Sequence, residues 1–200
     1  NCDGWGSTIR GKKVGSFGDI SITSFHAAHI VSMGVGGGVF TNDKQIAKNI
    51  RQYRDWGRQA DTVNYIHRFP ILPKDQNPRF IYEKIGYNFQ ILELQAAMGR
   101  VQLRKADEIK RLRKKNFDYL YKHLSQFGDL CMPKSIEGAD VCWFSFPLTT
   151  WKDDRKKLVP YLEKHGIETR SMFSGVITKH PAYRYSKFRI SGKLEHANAI

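Results

Sequence analysis

Hydrophobic and polar residues along the chain change period several times, and those changes outline its elements. Residues 20–25, Ile-Ser-Ile-Thr-Ser-Phe, alternate bulky and small side chains, which is the two-residue period of a strand. After an irregular bend, Gly37 to Thr41 predicts a second strand, and Asn42-Asp43 makes a good helix start. Ile46, Ala47, Ile50 and Tyr53 then recur at helical spacing, so a surface helix should end near Trp56-Gly57. From Ile91 the 3.6-residue period returns. Leu92, Ala96, Gly99 and Leu103 share one face, and its small residues allow another backbone to approach closely. Residues 104–124 predict a long amphipathic helix, with Ile109, Leu112, Phe117, Leu120 and Leu124 on its apolar stripe. Further on, residues 141–149 and 167–172 read as strands, the first confined to an edge or bulge by Pro147. Residues 153–165 read as a helix that Pro160 kinks or breaks.

Between the predicted helices, residues 58–86 contain Pro70, Pro73, Pro78 and several aromatics but no sustained period. An irregular segment of that length inside a compact domain is usually functional or a subunit contact. The order of elements predicts two α/β parts: residues 1–125, ending in the long helix, and a smaller lobe over residues 126–200.

Composition narrows the class. Of 200 residues, 40% are hydrophobic and 26% charged, enough apolar material for a folded core. No stretch approaches the roughly 20 consecutive apolar residues of a membrane span, so a membrane-embedded chain is excluded. Lys and Arg number 33 against 19 Asp and Glu, a net charge of +14. The densest cations, Lys110, Arg111, Arg113, Lys114 and Lys115, lie mostly on the polar side of the long helix. They read as a solvated helix face, and no nucleic-acid partner is expected. Cys2, Cys131 and Cys142 are odd in number and form no C-x-x-C pair, so reduced thiols in a cytoplasm are the plain reading. The chain opens on Asn1 and stops within what reads as the start of a helix, so it is expected to be an internal piece of a longer protein.

Two motifs look like chemistry and fall short of it alone. The run Gly34 to Val39 resembles a phosphate loop, but it lacks the third fingerprint glycine and the P-loop Lys-Ser/Thr, and a strand follows it. A tight turn into residues 37–41 is the better reading. His26 and His29 have no nearby third ligand, so no metal site is expected there.

Set in context, these residues carry a resemblance. Gly18-Asp19-Ile20, then Ser24-Phe25-His26-Ala27-Ala28-His29, then Gly34 to Asp43, resemble the cofactor segment of the DegT/DnrJ/EryC1/StrS sugar aminotransferases. Collinear blocks at Arg54-Asp55-Trp56-Gly57-Arg58, Ile85 to Phe89, Glu93 to Gly99 and Gly166 to Arg170 extend the resemblance over nearly the whole chain. It implies an α/β fold, a fragment of a fold-type-I transferase dependent on pyridoxal phosphate (PLP). The fragment would comprise part of the large α/β/α domain and part of the smaller α/β C-terminal domain. Most family members place at position 29 the lysine that binds PLP covalently, whereas this chain has His29. That substitution is similar to the branch of nucleotide-linked 4-keto-6-deoxyhexose 3-dehydratases. Imidazole cannot hold PLP covalently, but it suits proton transfer near neutral pH.

The resemblance implies a full set of roles. His29 is the acid/base of a dehydratase that uses pyridoxamine phosphate (PMP) and releases a 3-deoxy sugar, with an amino donor such as glutamate regenerating PMP. Ser24 donates to the cofactor phosphate, Asp3 lies near the ring hydroxyl where relatives carry His or Gln, and Asn88 reaches the cofactor of a neighbouring subunit in a homodimer. Arg58 and Arg170 are candidate contacts for the anionic nucleotide-linked sugar. Some members of the branch hold an iron–sulfur cluster after Trp-Gly-Arg, but Gln59 to Tyr82 contains no cysteine, so none is expected. Ala27 and Val35 stand where relatives usually have Pro and an acidic residue. An ordinary nucleotide-sugar aminotransferase and a catalytically inert relative are the alternatives.

Overall fold

The computed structural model describes residues 2–59, 71–150 and 154–199. They form mixed α/β structure in two compact units, one of residues 1–122 with 134–146 and one of residues 123–133 with 147–200. The segment 134–146 thus packs with the N-terminal part of the chain.

In the first unit, β1 (Thr8–Ile9) pairs antiparallel with β2 (Lys12–Lys13) on one side and β6 (Ala139–Asp140) on the other. Arg10 and Gly11 both have positive φ, 49° and 75°, as a two-residue hairpin turn requires. The predicted strand pair is present as β3 (Ser21–Ser24) against β4 (Gly37–Phe40), antiparallel with Ser24 opposite Gly37. The loop between them is anchored from below: Ile30, Val31 and Met33 are buried, and Trp5, Phe25, Ala106 and Ile109 pack around Ile30, Val31 and Cys142.

Asp43 caps α1 (Lys44–Arg54), its Oδ1 accepting from the Gln45 and Ile46 amides at 2.7 and 2.8 Å. The helix ends as predicted at Trp56-Gly57, where both residues have positive φ and the Gly57 amide donates to the Gln52 carbonyl at 2.7 Å. In α2 (Glu93–Arg104) the inward face is Gln95, Ala96, Gly99 and Gln102, and a Cβ on Gly99 would lie 3.3 Å from Met33 Cβ. Leu92 and Leu103, expected on that face, are 65% and 52% exposed. The long helix α3 (Ala106–Leu124) buries Phe117, which stacks on Trp143 at 4.0 Å, while Leu112 and Leu120 remain open. Its cations are mostly engaged locally. Lys110 pairs with Asp140 at 2.5 Å, Arg111 with Glu108 at 2.6 Å, and Arg113 donates to the Phe144 carbonyl at 2.6 Å.

The second unit holds β5 (Leu130–Cys131) paired with β7 (Thr149–Thr150), α4 (Arg155–Lys164) and α5 (Glu195–Ala199). Three expectations are corrected. Residues 141–148 are not a strand, because their polar backbone groups are taken by side chains: Ser7 Oγ accepts from the Cys142 amide, and Arg113 binds the Trp143 and Phe144 carbonyls. Residues 167–172 are irregular: the Ile167 amide turns back to the Leu162 carbonyl at 3.0 Å, and the Thr169 and Ser171 hydroxyls bond the side chains of Glu163 and Arg155. The helix α4 runs through Pro160 without a break and continues to Lys164.

Candidate active site

The β3–β4 loop presents His29. It turns back through a 2.9 Å bond from the His29 amide to the His26 carbonyl, and it closes through Phe25 to Gly36 and Met33 to Phe25, both 2.9 Å. The hydrophobic residues directly after His29 fasten it to the core, which fixes where the imidazole emerges. Its ring borders Phe144 at 5.7 Å and His26 at 6.0 Å. Asp3 approaches from the N-terminal segment, held there by Trp5, whose ring packs edge-on against Phe25 at 5.8 Å. The Asp3 Oδ1 to His29 Nε2 distance is 3.3 Å. The other imidazole nitrogen, Nδ1, is buried and has no hydrogen-bond partner among the described residues.

Ser24 ends β3, and its Oγ accepts from the His26 amide at 3.2 Å. Gln95 joins this loop to α2, donating from Nε2 to the Val35 carbonyl at 2.9 Å and accepting from the Leu92 amide at 2.9 Å.

Arg58 and Asn88 belong to a second cluster in the same unit. Asn88 is exposed and bridges Asp55, beside Tyr87 and Phe89, which stack at 5.0 Å. The Arg58 guanidinium lies 4.7 Å from the Trp56 ring, with Phe80 and Tyr82 at 5.8 and 5.9 Å. Arg58 Nε and both polar atoms of the Gln59 carboxamide are buried without hydrogen-bond partners among the described residues. They border a cavity of about 240 Å³ completed by Arg51, Gln52, Asp55 and Gln90. Asp55 is committed to Arg54 at 2.8 Å and to Gln90 at 2.8 Å. The Arg54 hydrogen bond, reinforced by Gln90 and by the Arg54 and Arg58 charges against the opposing effect of burial, holds its carboxyl below the usual range.

Sequence reasoning passed over Gln59, because a lone glutamine after an arginine carries no spacing signal; its signal is the burial of an unpaired amide. Arg170 lies in the second unit, exposed and 3.4 Å from Glu168. A cavity of about 380 Å³ in that unit, bordered by Ser174, Lys179 and His180, contains none of the expected site residues. Among the described residues no cluster of three or more His, Cys, Asp or Glu could hold a metal, and no helix is long and apolar enough to cross a membrane.

The loop thus carries a histidine with a carboxylate at its Nε2, and a hydroxyl five residues earlier in the chain. The chain matches the DegT/DnrJ/EryC1/StrS aminotransferase family over residues 1–200 and belongs to that family. It is 35% identical over 212 aligned residues to the lipopolysaccharide biosynthesis protein RfbH of Salmonella typhimurium, covering 100% of this chain and 48% of that protein. It is 34% identical to the dTDP-4-dehydro-2,6-dideoxy-D-glucose 3-dehydratase of Saccharopolyspora spinosa, covering 100% of this chain and 46% of the relative. Among solved structures it is similar to E. coli GDP-4-keto-6-deoxy-D-mannose-3-dehydratase with bound hydrated PLP. That likeness has a TM-score of 0.73 and 28% identity over 88% of this chain and 46% of that one. The chain therefore spans about half the length of these relatives, and its fold is part of the fold-type-I architecture of PLP-dependent enzymes.

Proposed function

We propose that the protein containing this chain is a PLP/PMP-dependent 3-dehydratase that removes the C3 hydroxyl of a nucleotide-linked 4-keto-6-deoxy sugar. The observation that carries this reading is His29 itself: an imidazole where the family's covalent lysine belongs, with Nε2 facing a carboxylate at 3.3 Å. The residues fit the cofactor on two counts. Ser24 Oγ accepts a backbone hydrogen bond and so can turn its own proton toward a phosphate oxygen. His29 offers a nitrogen for proton transfer and no primary amine for attachment.

When bound, PMP supplies an amine for the 4-keto carbon and an electron sink that acidifies the neighbouring carbon. His29 then works at Nε2, because its Nδ1 is enclosed. As imidazole it accepts a proton, and as imidazolium it returns one to the departing C3 oxygen, which leaves as water. Ser24 would hold the phosphate, Asp3 would lie near the ring hydroxyl, and Asn88, which is exposed, would reach the cofactor of a second subunit. Arg58, braced by three aromatic rings, is the candidate contact for the anionic substrate in the first unit, and Arg170 is a separate candidate in the second. A glutamate-like donor would restore PMP, and the same reading takes the enzyme as a cytoplasmic homodimer. The absence of cysteine between Gln59 and Tyr82 favours a reaction without an iron–sulfur cluster.

Borohydride separates this reading from the aminotransferase. Full-length protein loaded with PLP and then reduced should release all its cofactor on denaturation, whereas a His29→Lys variant should retain it covalently. Covalent retention by the wild type overturns the proposal.

A further inference from the structure

The segment that returns from His29 to β4 passes through Met33, Gly34 and Val35, and it lies along one face of α2. Met33 is buried, and a Cβ on Gly99 would stand 3.3 Å from its own Cβ. Beside it, a Cβ on Gly34 would touch the Met98 methyl at 3.5 Å. Nearer the start of the helix, Gln95 Nε2 donates to the Val35 carbonyl at 2.9 Å. Of these three contacts, the last is the directional one.

Direction matters here for two reasons. Gly34 and Gly36, on either side of Val35, have φ of 82° and 156°, so this stretch has weak dihedral preferences of its own. The bond from Gln95 fixes where its carbonyl points. Below the loop, Ile30 and Val31 are buried in the core, but apolar burial is non-directional and leaves the loop free to tilt about them. The tilt reaches His29 through the neck of the loop, where Phe25 bonds Gly36 and Met33 at 2.9 Å and the His29 amide closes on the His26 carbonyl. The other end of the Gln95 carboxamide has a separate task. Its Oε1 accepts from the Leu92 amide at 2.9 Å, as a third helical residue does in a capping box.

We propose that Gln95 is a positioning residue for His29: its amide nitrogen sets where the loop stands against α2, while its oxygen caps that helix. The assignment rests on the reading of His29 as the proton carrier, but the placement of the imidazole can be read without cofactor or substrate.

Substitution separates the two ends of the carboxamide. Gln95→Glu keeps an oxygen for the Leu92 amide, and glutamate suits that place in a capping box as well as glutamine does. Its second oxygen cannot donate to the Val35 carbonyl, so the loop must part from the helix. Gln95→Lys does the reverse, since its ammonium can donate to Val35 and nothing caps Leu92. The test is NMR of full-length protein with carbon-13 in its histidine rings, without cofactor and near neutral pH, with His29→Gln to assign the signal. Gln95→Glu should move the His29 signal from its wild-type position, and Gln95→Lys should keep it there. An unmoved signal in a folded Gln95→Glu protein, or a moved one in Gln95→Lys, overturns the assignment. If Gln95→Glu does not fold, the Gln95→Lys spectrum decides alone. In turnover at saturating cofactor, Gln95→Glu should lower kcat at least about tenfold with KM for the nucleotide-linked sugar within about twofold. Ser24 and Arg58 are held by strand pairing and aromatic rings in which Gln95 takes no part. A change in KM alone contradicts a positioning role. The expected spectra in a protein that removes no C3 hydroxyl would leave the role of Gln95 standing and refute the proposed reaction instead.

Discussion

Replacing Gly86 by Ala tests the crossing that supports Arg58 and Asn88. A Cβ built on Gly86 would lie 2.2 Å from the Gly57 nitrogen, 2.6 Å from the Trp56 carbonyl carbon and 2.9 Å from Gly57 Cα. All three are backbone atoms, so no side chain can swing aside. Ordinary contact begins near 3.4 Å, and the two segments must therefore part by about 1.2 Å, the difference between 3.4 and 2.2 Å. That displacement breaks two bonds across the junction, Trp56 amide to Tyr87 carbonyl at 2.8 Å and Glu83 amide to Gly57 carbonyl at 2.9 Å. Each is worth roughly 0.5–1.5 kcal/mol net. With residual crowding of about 1 kcal/mol, the expected loss is about 2–4 kcal/mol. Urea unfolding of the full-length protein, followed by tryptophan fluorescence, measures it. Gly128→Ala is the matched control, since no atom lies within 4 Å of its added Cβ, and it should stay within about 0.5 kcal/mol of wild type. A Gly86→Ala protein that unfolds at the wild-type urea concentration would refute the reasoning.

Two further predictions use the titration of named groups. The folded Asp55 carboxyl titrates below its unfolded value of about 3.9, chiefly through its hydrogen bond from Arg54, so its stabilisation is complete above that pH and is lost as pH falls through the folded value. The urea midpoint of Asp55→Asn should lie below wild type at pH 7, by about 1 kcal/mol or less, and the gap should shrink as pH falls below about 3.9. A constant gap across that range would contradict the sign. Cys142 is 1% exposed and burial pushes its thiol up, so it should resist alkylation at pH 8 until the protein is unfolded, while Cys2 and Cys131 are labelled first. Peptide mass mapping of labelled native protein checks this, and early labelling of Cys142 would place it outside the core.

Much of the local structure was legible because local chemistry decides it. Asp43 caps α1 where the sequence offers Asn-Asp before a periodic run, and the β3–β4 pair follows its two-residue alternation. The misread strand at 141–148 is a segment whose backbone bonds to side chains distant in sequence. Residues 141–148 are apolar enough for a strand, but Ser7 and Arg113 take their hydrogen bonds, and nothing near residue 141 announces either partner. The segment at 167–172 fails for a local reason: the Ile167 amide closes back on the Leu162 carbonyl at the end of α4.

The site divides along the same line. His29 was legible as a departure at a position where most of the family has lysine. The contact of Asp3 with it joins residues far apart in the chain, and no spacing rule links them. Resemblance placed Asp3 near the cofactor; only the fold, through Trp5 against Phe25, brings its carboxylate to the imidazole. Arg58 was chosen for its charge, while the aromatic rings that brace it and the unpaired amide of Gln59 beside it required three dimensions.

The central claim is that His29 moves a proton for loss of the C3 hydroxyl. The most direct measurement is the structure of the product formed by the full-length enzyme from PMP, glutamate and a nucleotide-linked 4-keto-6-deoxy sugar, determined by mass spectrometry and NMR. The account predicts a sugar without oxygen at C3 and with its 4-keto group retained, absent from reactions of a His29→Asn variant. A product that keeps its C3 hydroxyl and carries an amine at C4 would contradict it.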